Sequence, residues 1–498
     1  MPIRFPPAQA GAWLLGLVVA VVPLAAFGTL VLRHFYVLGA FWSDSGAIAA
    51  VMWHSGPLLR LPLVNGSASF FQYHITLVFL LLSLVSWLTP LSEVWYFALI
   101  SGLAFMLPAI AVYWLLVAEY RMNRGLTLLA AASVSILFAF NGITLAVSRN
   151  PHFEMLIVGT GLMFLTGLLR KRYDIATLFF LLCLATREDA GFHLALLLGV
   201  FSILCKLNGV DWRQLRPVII FGGSGMLYGL LAFAVQKLCF PGYDALHNVY
   251  LGSQTSPQHG WRMIIKLLEF YALDRGFIFL PAYLTLVWAF RARNIMIVAG
   301  FIACLPWALL SLFAASPWAA TLSGYYCFPF IFALFWPLFG PRLAAQYGCT
   351  FKPVKRPVAI FSLLLLTSFI QIPAQYNPGH ITLPESFYQL PSWQEQQKTE
   401  ASLHELVLQR ARLGQLKIDS GVAALDPGDY TNAQLIESPG SPPPDSIIYF
   451  AGGYQLHLVT TAAQMARLRF HYKIPGTSLR VISDRPLGGL ADMIPVQD

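Results

Sequence analysis

Residues 73–89 read YHITLVFLLLSLVSWLT, and the topology of the whole chain depends on whether this apolar segment crosses a membrane. A membrane-spanning helix needs about 20 mainly apolar residues, with a range of about 17–25, so the segment is at the lower limit of length. If it crosses, the polar residues before and after it lie on opposite sides of the bilayer. If it does not cross, the first long loop shares a side with the later polar loops.

The composition of the chain is that of an integral membrane protein. Hydrophobic residues make up 57% of the 498 residues and charged residues only 11%, whereas a soluble domain carries about 25% charged residues. Apolar segments lie near 12–32, 73–89, 94–118, 126–147, 155–169, 175–186, 190–205, 218–240, 277–290, 295–315, 326–341 and 357–373. The sequence therefore predicts a mainly α, polytopic membrane protein with about 11 spans plus interfacial helices.

The net charge of +9 is distributed as in a membrane protein. Lysines and arginines cluster in the short loops between apolar segments: Arg121 and Arg124; Arg170, Lys171 and Arg172; Lys206, Arg213 and Arg216; Arg291 and Arg293; Lys352, Lys355 and Arg356. Such loops face the cytoplasm, and they do not form the basic stripe of a nucleic-acid-binding protein. We therefore expect no nucleic-acid partner. The charge bias does not decide whether 73–89 crosses, because both models place most basic residues inside.

Two regions outside the apolar segments are also predicted to fold. In the first loop, at about 33–72, Ser43 or Asp44 is predicted to cap an amphipathic helix over 45–54 that lies at the membrane interface. After residue 375 no spanning segment follows. Short β-like runs at 446–450 and 479–483 and an amphipathic helix at 401–413 occur there instead. These patterns predict a transmembrane domain at 1–375 and a small extracytoplasmic α/β domain at 376–498.

Five short polar islands interrupt the apolar chain, at 43–46, 72–74, 148–154, 187–189 and 323–326. An ionisable group costs about 2.5–3.5 kcal/mol at the centre of a spanning helix, so such groups gather at helix ends unless function holds them elsewhere. If 73–89 does not cross, all five islands lie on one side and could form one site. The candidate site residues are Asp44, His54, His74, His152, Glu154, Arg187, Glu188, Asp189, Tyr325 and Tyr326.

Each candidate also has a structural interpretation. Asp44 suits a general base or a metal ligand, and it equally suits a helix cap. Arg187-Glu188-Asp189 could bind a phosphate through its guanidinium, or it could be a self-neutralised cluster that caps a helix, which is the commoner case. Tyr325 and Tyr326 fit an aromatic belt at the membrane interface.

Oxygen and imidazole ligands are present in two of the islands. His152 and Glu154 are two residues apart, and Asp189 and His193 are four apart, so the latter pair would share a helix face. These groups could hold a divalent metal ion, although their spacing is not a specific metal signature. The sequence contains no glycine-rich phosphate loop, no GxSxG elbow and no HExxH, which weighs against nucleotide-driven chemistry and the common hydrolases.

The order of the motifs resembles the DUF2079 family of predicted polytopic bacterial membrane proteins, which is similar to the GT-C-fold lipid-linked glycosyltransferases. The resemblance rests on Asp44-Ser45-Gly46 followed by Trp53-His54, on His74 before the next apolar segment, on His152-Phe153-Glu154, on Arg187-Glu188-Asp189 and on Tyr325-Tyr326. It covers most of residues 10–375. Family members often carry an Asp and a Gln in the first-loop helix, where this chain has Ala49 and Ala50.

The resemblance implies an enzyme that moves a sugar from a polyprenyl-phosphate carrier to an extracytoplasmic acceptor. Asp44 would be the base, and Arg187 with His74 or His152 would stabilise the phosphate that leaves. The remaining residues would have supporting roles: His54, Glu154, Glu188 and Asp189 in binding the donor phosphate or an ion, and Tyr325 and Tyr326 in contacting donor or acceptor. The implied location is the bacterial plasma membrane, with the N-terminus cytoplasmic, residues 73–89 interfacial, and the lipid bilayer as a partner.

Two other functions remain open on the sequence alone. A transporter or lipid flippase is one, although transporters usually have internal repeats and bind substrates near the bilayer midplane. This chain shows no internal repeat and keeps its charges at segment ends. A non-catalytic membrane assembly partner is the other, because two residues expected in the first-loop helix are replaced by alanine.

Overall fold

The computed structural model describes residues 7–33, 35–36, 43–53, 55–59, 69–149, 151–242, 246–251, 261–370, 387–394 and 396–397, and six short strands between residues 417 and 495. The helices are α1 (Pro7–Arg33), α2 (Ser43–Met52), α3 (Leu77–Ser86), α4 (Glu93–Glu119), α5 (Gly125–Ala139), α6 (Gly142–Ser148), α7 (Glu154–Leu169), α8 (Tyr173–Thr186), α9 (Ala190–Leu207), α10 (Arg216–Cys239), α11 (Trp261–Asp274), α12 (Gly276–Ala292), α13 (Ala299–Leu312), α14 (Pro317–Ala320), α15 (Pro329–Gln346) and α16 (Pro357–Thr367). The predicted mainly α class is confirmed.

Strands occur only in the C-terminal part of the described residues. β1 (Lys417–Ile418) and β2 (Gln434–Leu435) pair in parallel. β3 (Tyr449–Gly452), β4 (Phe470–Lys473), β5 (Leu479–Ser483) and β6 (Ile494–Pro495) form an antiparallel sheet in the order β3-β5-β4-β6. The helix predicted at 401–413 lies outside the described residues, so an α/β domain at 376–498 stays a prediction.

The described helices are those of a multi-pass membrane protein. Four are long and apolar enough to cross a membrane alone, and three bent helix pairs would raise the number to seven. Five further apolar helices have only 10–17 residues. The predicted number of spans therefore stays a prediction, because a helix shorter than about 17 residues does not by itself reach across the hydrocarbon core.

α1 and α4 pack antiparallel along their length. A Cβ atom on Gly102 would lie 2.6 Å from the carbonyl oxygen of Leu24, so the two backbones approach closely near their middle. Further along, the hydroxyl of Tyr113 donates a hydrogen bond to the carbonyl of Ala12 at 2.7 Å. The start of α4 therefore lies beside the end of α1.

The helices run between two ends of the bundle. We call the end that carries residues 149–154 the site end. At the other end, Arg170 after α7 pairs with Glu119 of α4 at 2.7 Å, and Gln346 of α15 donates to the carbonyl of Leu169 at 2.7 Å. The basic loops identified in the sequence gather at that opposite end, because they follow or precede the same helix termini.

Residues 73–89 do not run from one end of the bundle to the other. The helix within them, α3, has ten residues and is about 15 Å long, half the thickness of the hydrocarbon core. His74, just before it, contacts Glu188 at the site end. Tyr96, in the first turn of α4, donates to the carbonyl of Leu82 in α3 at 2.7 Å. Because α4 also begins at the site end, the chain enters and leaves α3 at the same end.

α2 is buried along its described length, so the predicted amphipathic character of this helix is wrong. The described side chains from Ser45 to Met52 are buried except that of Ala47, which is half-buried. They are small or apolar, and α3 and α4 cover them. The helix begins at Ser43, and the side chains of Ser43 and Asp44 lie outside the described residues, so the predicted cap stays a prediction.

Two glycines allow α9 and α10 to cross with their backbones in contact. A Cβ atom on Gly191 would lie 2.1 Å from the carbonyl oxygen of Gly225, and a Cβ atom on Gly225 would lie 2.9 Å from that of Gly191. Small residues at helix crossings let dispersion contacts form along the backbone, which is how apolar helices associate in lipid.

We expect Gly191→Ala to lower the free energy of unfolding by about 1–3 kcal/mol, because the added methyl group forces the two helices apart. Thermal unfolding of the purified full chain in detergent measures the effect. Gly199→Ala on the same helix is the matched control, since nothing lies within 4 Å of a Cβ atom there. Alanine at that position should keep or slightly raise stability. Equal melting temperatures for the two variants would contradict the close crossing.

Candidate active site

Arg187 is the centre of a buried ion-pair cluster at the site end. It occupies the extended residue between α8 and α9. Its Nε and Nη2 atoms donate to the two oxygens of Asp189, both at 2.6 Å, and Nη1 donates to Glu154 at the start of α7. The Glu154 side chain is fully buried. Carboxylates therefore surround the guanidinium on two sides, which is the self-neutralised arrangement that the sequence left open.

The neighbouring charges determine the ionisation of Asp189. Burial alone would raise the pKa of this carboxyl, but the charge of Arg187 and the hydrogen bonds to the carboxylate outweigh burial and hold the pKa well below its usual range. The ionised form therefore stabilises the fold at neutral pH. That contribution is lost only as the pH falls below about 3.9, the ordinary pKa of an aspartate.

His152 and Tyr325 join the cluster from two further loops. His152 Nδ1 contacts one oxygen of Glu154, whose other oxygen accepts from Arg187. The ring of His152 stacks on Tyr325 with a centroid separation of 4.3 Å and an interplanar angle of 18°. Tyr326 packs against Tyr325 at 4.6 Å. Tyr325 therefore lies against the polar cluster, and Tyr326 packs beside it.

His74 and Glu188 form a second pair beside the first. His74 Nδ1 lies 2.9 Å from one oxygen of Glu188, and the other oxygen accepts from the backbone N–H of Ile75 at 2.9 Å. The Glu188 side chain is 4% exposed, whereas that of His74 is 25% exposed. A buried carboxylate that holds one ring nitrogen leaves Nε2 as the nitrogen available for a proton or a ligand. This geometry suits a histidine that acts on substrate.

The first-loop helix lies against the same cluster. Ser45 Oγ donates to the carbonyl of Pro151 at 2.6 Å, so the start of α2 contacts the loop that carries His152 and Glu154. Asp44 lies in the first turn of α2, but its side chain is outside the described residues, as is all of His54. All five polar islands therefore contribute backbone or side chains to one region.

Asp189 and His193 lie on one helix face, as their four-residue spacing predicts, and their side chains are in contact without forming a hydrogen bond. His193 Nε2 lies 3.6 Å from Asp189 and has no hydrogen-bond partner among the described residues. Its ring packs edge-on against Trp307 at 5.0 Å and Phe328 at 5.1 Å. In the described part of the chain, no three His, Cys, Asp or Glu side chains are placed to hold a metal ion. The carboxylates of the cluster bind Arg187, the histidines and a backbone N–H.

Three buried polar residues near helix ends were not identified in the sequence. Gln236 of α10 donates to the carbonyl of Tyr73 at 2.8 Å and supports the turn before α3. Arg275, between α11 and α12, is 1% exposed, and Glu93 starts α4 with its Oε1 unbonded within the described residues. Arg275 and Glu93 are charges directly before an apolar run, the same signal that marked the other islands.

No protein-family model matches the sequence, and no curated protein matches it. The resemblance to the DUF2079 family and to the GT-C fold therefore stays a prediction.

We expect Asp189→Asn to lower the free energy of unfolding by about 3–5 kcal/mol, because it leaves the buried Arg187 with a single carboxylate partner. Thermal unfolding of the full chain in detergent at neutral pH measures the loss. The chain provides a matched control in Arg172 and Asp174, which have the same two-residue spacing and the same two-bond geometry, at 3.1 and 2.9 Å.

Both partners of the control pair are more than half exposed, so Asp174→Asn should leave the melting temperature almost unchanged. A similar melting temperature for the two variants would show that the buried pair does not stabilise the fold.

Proposed function

We propose that this protein is a membrane glycosyltransferase that moves a sugar from a polyprenyl-phosphate carrier to an extracytoplasmic acceptor. The observation that supports it best is the convergence of all five polar islands on one end of an apolar helix bundle. A polar site at the end of lipid-facing helices suits a substrate with an anionic head and a long apolar tail. Burial of that tail contributes about 0.8 kcal/mol per methylene group.

In the proposed reaction an acceptor hydroxyl attacks the anomeric carbon of the donor. Its proton passes to Asp44, and the bond between the anomeric carbon and the phosphate oxygen breaks. The electron pair leaves with the lipid phosphate. His74, held by Glu188 and partly exposed, is the side chain that would donate a hydrogen bond to the leaving phosphate. Arg187 would position His152 and the loop at 149–154 through Glu154.

The proposal includes an orientation for the chain. About 11 spans would place the N-terminus in the cytoplasm, and the site end and the C-terminal α/β domain outside it, in a bacterial plasma membrane. The gathering of basic loops at the end opposite the site supports this orientation, because such loops stay cytoplasmic. α3 would lie at the outer interface.

Two native cysteines test the orientation. Cys239 ends α10 at the site end and is exposed, whereas Cys349 follows α15 at the opposite end. A membrane-impermeant maleimide added to intact cells should label Cys239, and labelling of Cys349 should require permeabilised cells. Cys239→Ser should abolish the labelling of intact cells. Labelling of Cys349 in intact cells that spares Cys239 would reverse the proposed orientation.

The reaction is tested with the full chain in proteoliposomes. We supply a polyprenyl-phosphate-linked hexose and a membrane extract as acceptor, and we measure the polyprenyl phosphate released. Asp44→Asn and Glu188→Gln should each lower the rate by about 100-fold or more, since they remove the base and the group that orients His74. Glu119→Gln is the control, because Glu119 pairs with Arg170 at the opposite end.

Unchanged release in Asp44→Asn would remove the proposed base. Movement of the lipid across the vesicle membrane without release of phosphate would identify a flippase or transporter. Neither release nor movement by the wild type would favour the assembly partner.

A further inference from the structure

Two cysteines are in contact at the end of the bundle opposite the candidate site. The Sγ atom of Cys349 lies 3.1 Å from that of Cys205, although the two residues are 144 positions apart in the sequence. The sulfurs of a disulfide are about 2.05 Å apart, so this pair would have to close by about 1 Å to form one. A small rotation of the two side chains covers that distance and leaves the helices in place.

Hydrogen bonds near both residues hold the two thiols together. Cys205 lies in the last turn of α9, and its carbonyl accepts from the N–H of Asn208 at 3.1 Å. Cys349 follows α15, and its N–H donates to the carbonyl of Ala344 at 3.1 Å. The side-chain oxygen of Asn208 accepts from the N–H and the hydroxyl of Thr350, at 2.6 and 3.1 Å. The ends of α9 and α15 are therefore linked on both sides of the sulfur contact.

The other cysteines have different surroundings. The three remaining buried thiols donate to backbone carbonyls, namely Cys183 to Ile157, Cys304 to Pro329 and Cys327 to Gly324. The sixth cysteine, Cys239, is exposed at the site end. Proximity therefore selects Cys205 and Cys349 as the two cysteines that can be joined.

The two thiols differ in access, and this difference orders the steps of an oxidation. Cys205 is fully buried, whereas Cys349 is half-buried. A small disulfide reagent therefore meets Cys349 first. The Cys349 thiolate attacks one sulfur of the reagent, the sulfur–sulfur bond of the reagent breaks, and one reagent thiolate leaves. The Cys205 thiol then loses its proton and attacks Sγ of Cys349, which releases the second reagent thiolate. Two protein thiols are oxidised to a disulfide, and one reagent disulfide is reduced to two thiols.

We propose that Cys205 and Cys349 form a redox-sensitive disulfide that cross-links the end of α9 to the loop after α15. The oxidant is a low-molecular-weight disulfide of the glutathione class, and a dithiol reverses the reaction. Formation of the disulfide does not depend on the proposed glycosyltransferase function. A reduced resting state in the cell rests on the proposed orientation, because thiols on the cytoplasmic side are kept reduced.

The cross-link would act on two helices that connect with the candidate site. α9 starts directly after Asp189, and α15 follows the segment that carries Tyr325. The disulfide would tie the far ends of both helices together and restrain how they move against each other.

Oxidation of the purified full chain in detergent tests the pair. We use Cys239→Ser as the background, because Cys239 is exposed and would react with the reagent by itself. Burial raises the pKa of the Cys349 thiol, so incubation with glutathione disulfide at about pH 8.5 increases the thiolate fraction. The number of maleimide-reactive thiols in the unfolded product should fall by two. Mass spectrometry of the digested product should find Cys205 and Cys349 in linked peptides.

The cross-link should also raise the melting temperature by a few degrees, because it closes a loop between residues 144 positions apart and so restricts the unfolded chain. Dithiothreitol should reverse both effects. Cys349→Ser in the same background should show neither effect. Cys304→Ser is the matched control, since its thiol donates to a carbonyl, and it should still lose two reactive thiols.

A loss of two thiols that Cys349→Ser abolishes supports the proposed disulfide. A reagent adduct that persists on Cys349 beside a free Cys205 thiol would overturn it, and so would an unchanged number of thiols. A Cys205–Cys349 disulfide already present in unstressed cells quenched with acid would support the cross-link and contradict the proposed orientation.

Discussion

The site end of this protein depends on one buried guanidinium held between two carboxylates. Glu154 begins α7 and Asp189 directly precedes α9, so Arg187 joins the starts of two helices that are far apart in sequence. The adjacent Glu188 extends the same network to His74 and the backbone before α3. A charge in a poorly solvated place is tolerated only when it is paired and hydrogen-bonded. This constraint holds the residues that precede α3, α7 and α9 in one arrangement.

The basic side chains at this end of the bundle therefore have different surroundings. Arg187 uses its hydrogen bonds to hold the loops together and to position His152 through Glu154. His74 is oriented by a buried carboxylate but is itself partly exposed. Arg149 and Arg275 line a small cleft at the same end, where Arg275 donates to the carbonyl of Thr321 and the hydroxyl of Ser323.

The shape of the helices explains how so many polar groups reach one end of the bundle. α3 is too short to cross and returns the chain to the end at which it entered, next to α4. α11 meets α12 at 84° and brings Arg275 to the same end. α2 packs against α3 and α4 with small apolar side chains, and Ser45 near its start donates to the carbonyl of Pro151. The short helix α3 and the bent pair α11–α12 therefore bring additional polar residues to the end at which α7 and α9 begin.

The composition and the apolar segments were enough to predict a mainly helical membrane protein and the positions of most of its helices, although α11 lies outside every predicted segment. The polar islands were predicted to meet at one end only if residues 73–89 do not cross. They did not determine whether Arg187 was paired, because its partner Glu154 is 33 residues away. They also did not reveal the burial of α2, the stacking of Tyr325 on His152 or the cleft of Arg275. His74 and Glu188 are 114 residues apart and Ser45 and Pro151 are 106 apart. Local sequence sets where a helix begins and ends, but contacts at such separations depend on how the helices pack.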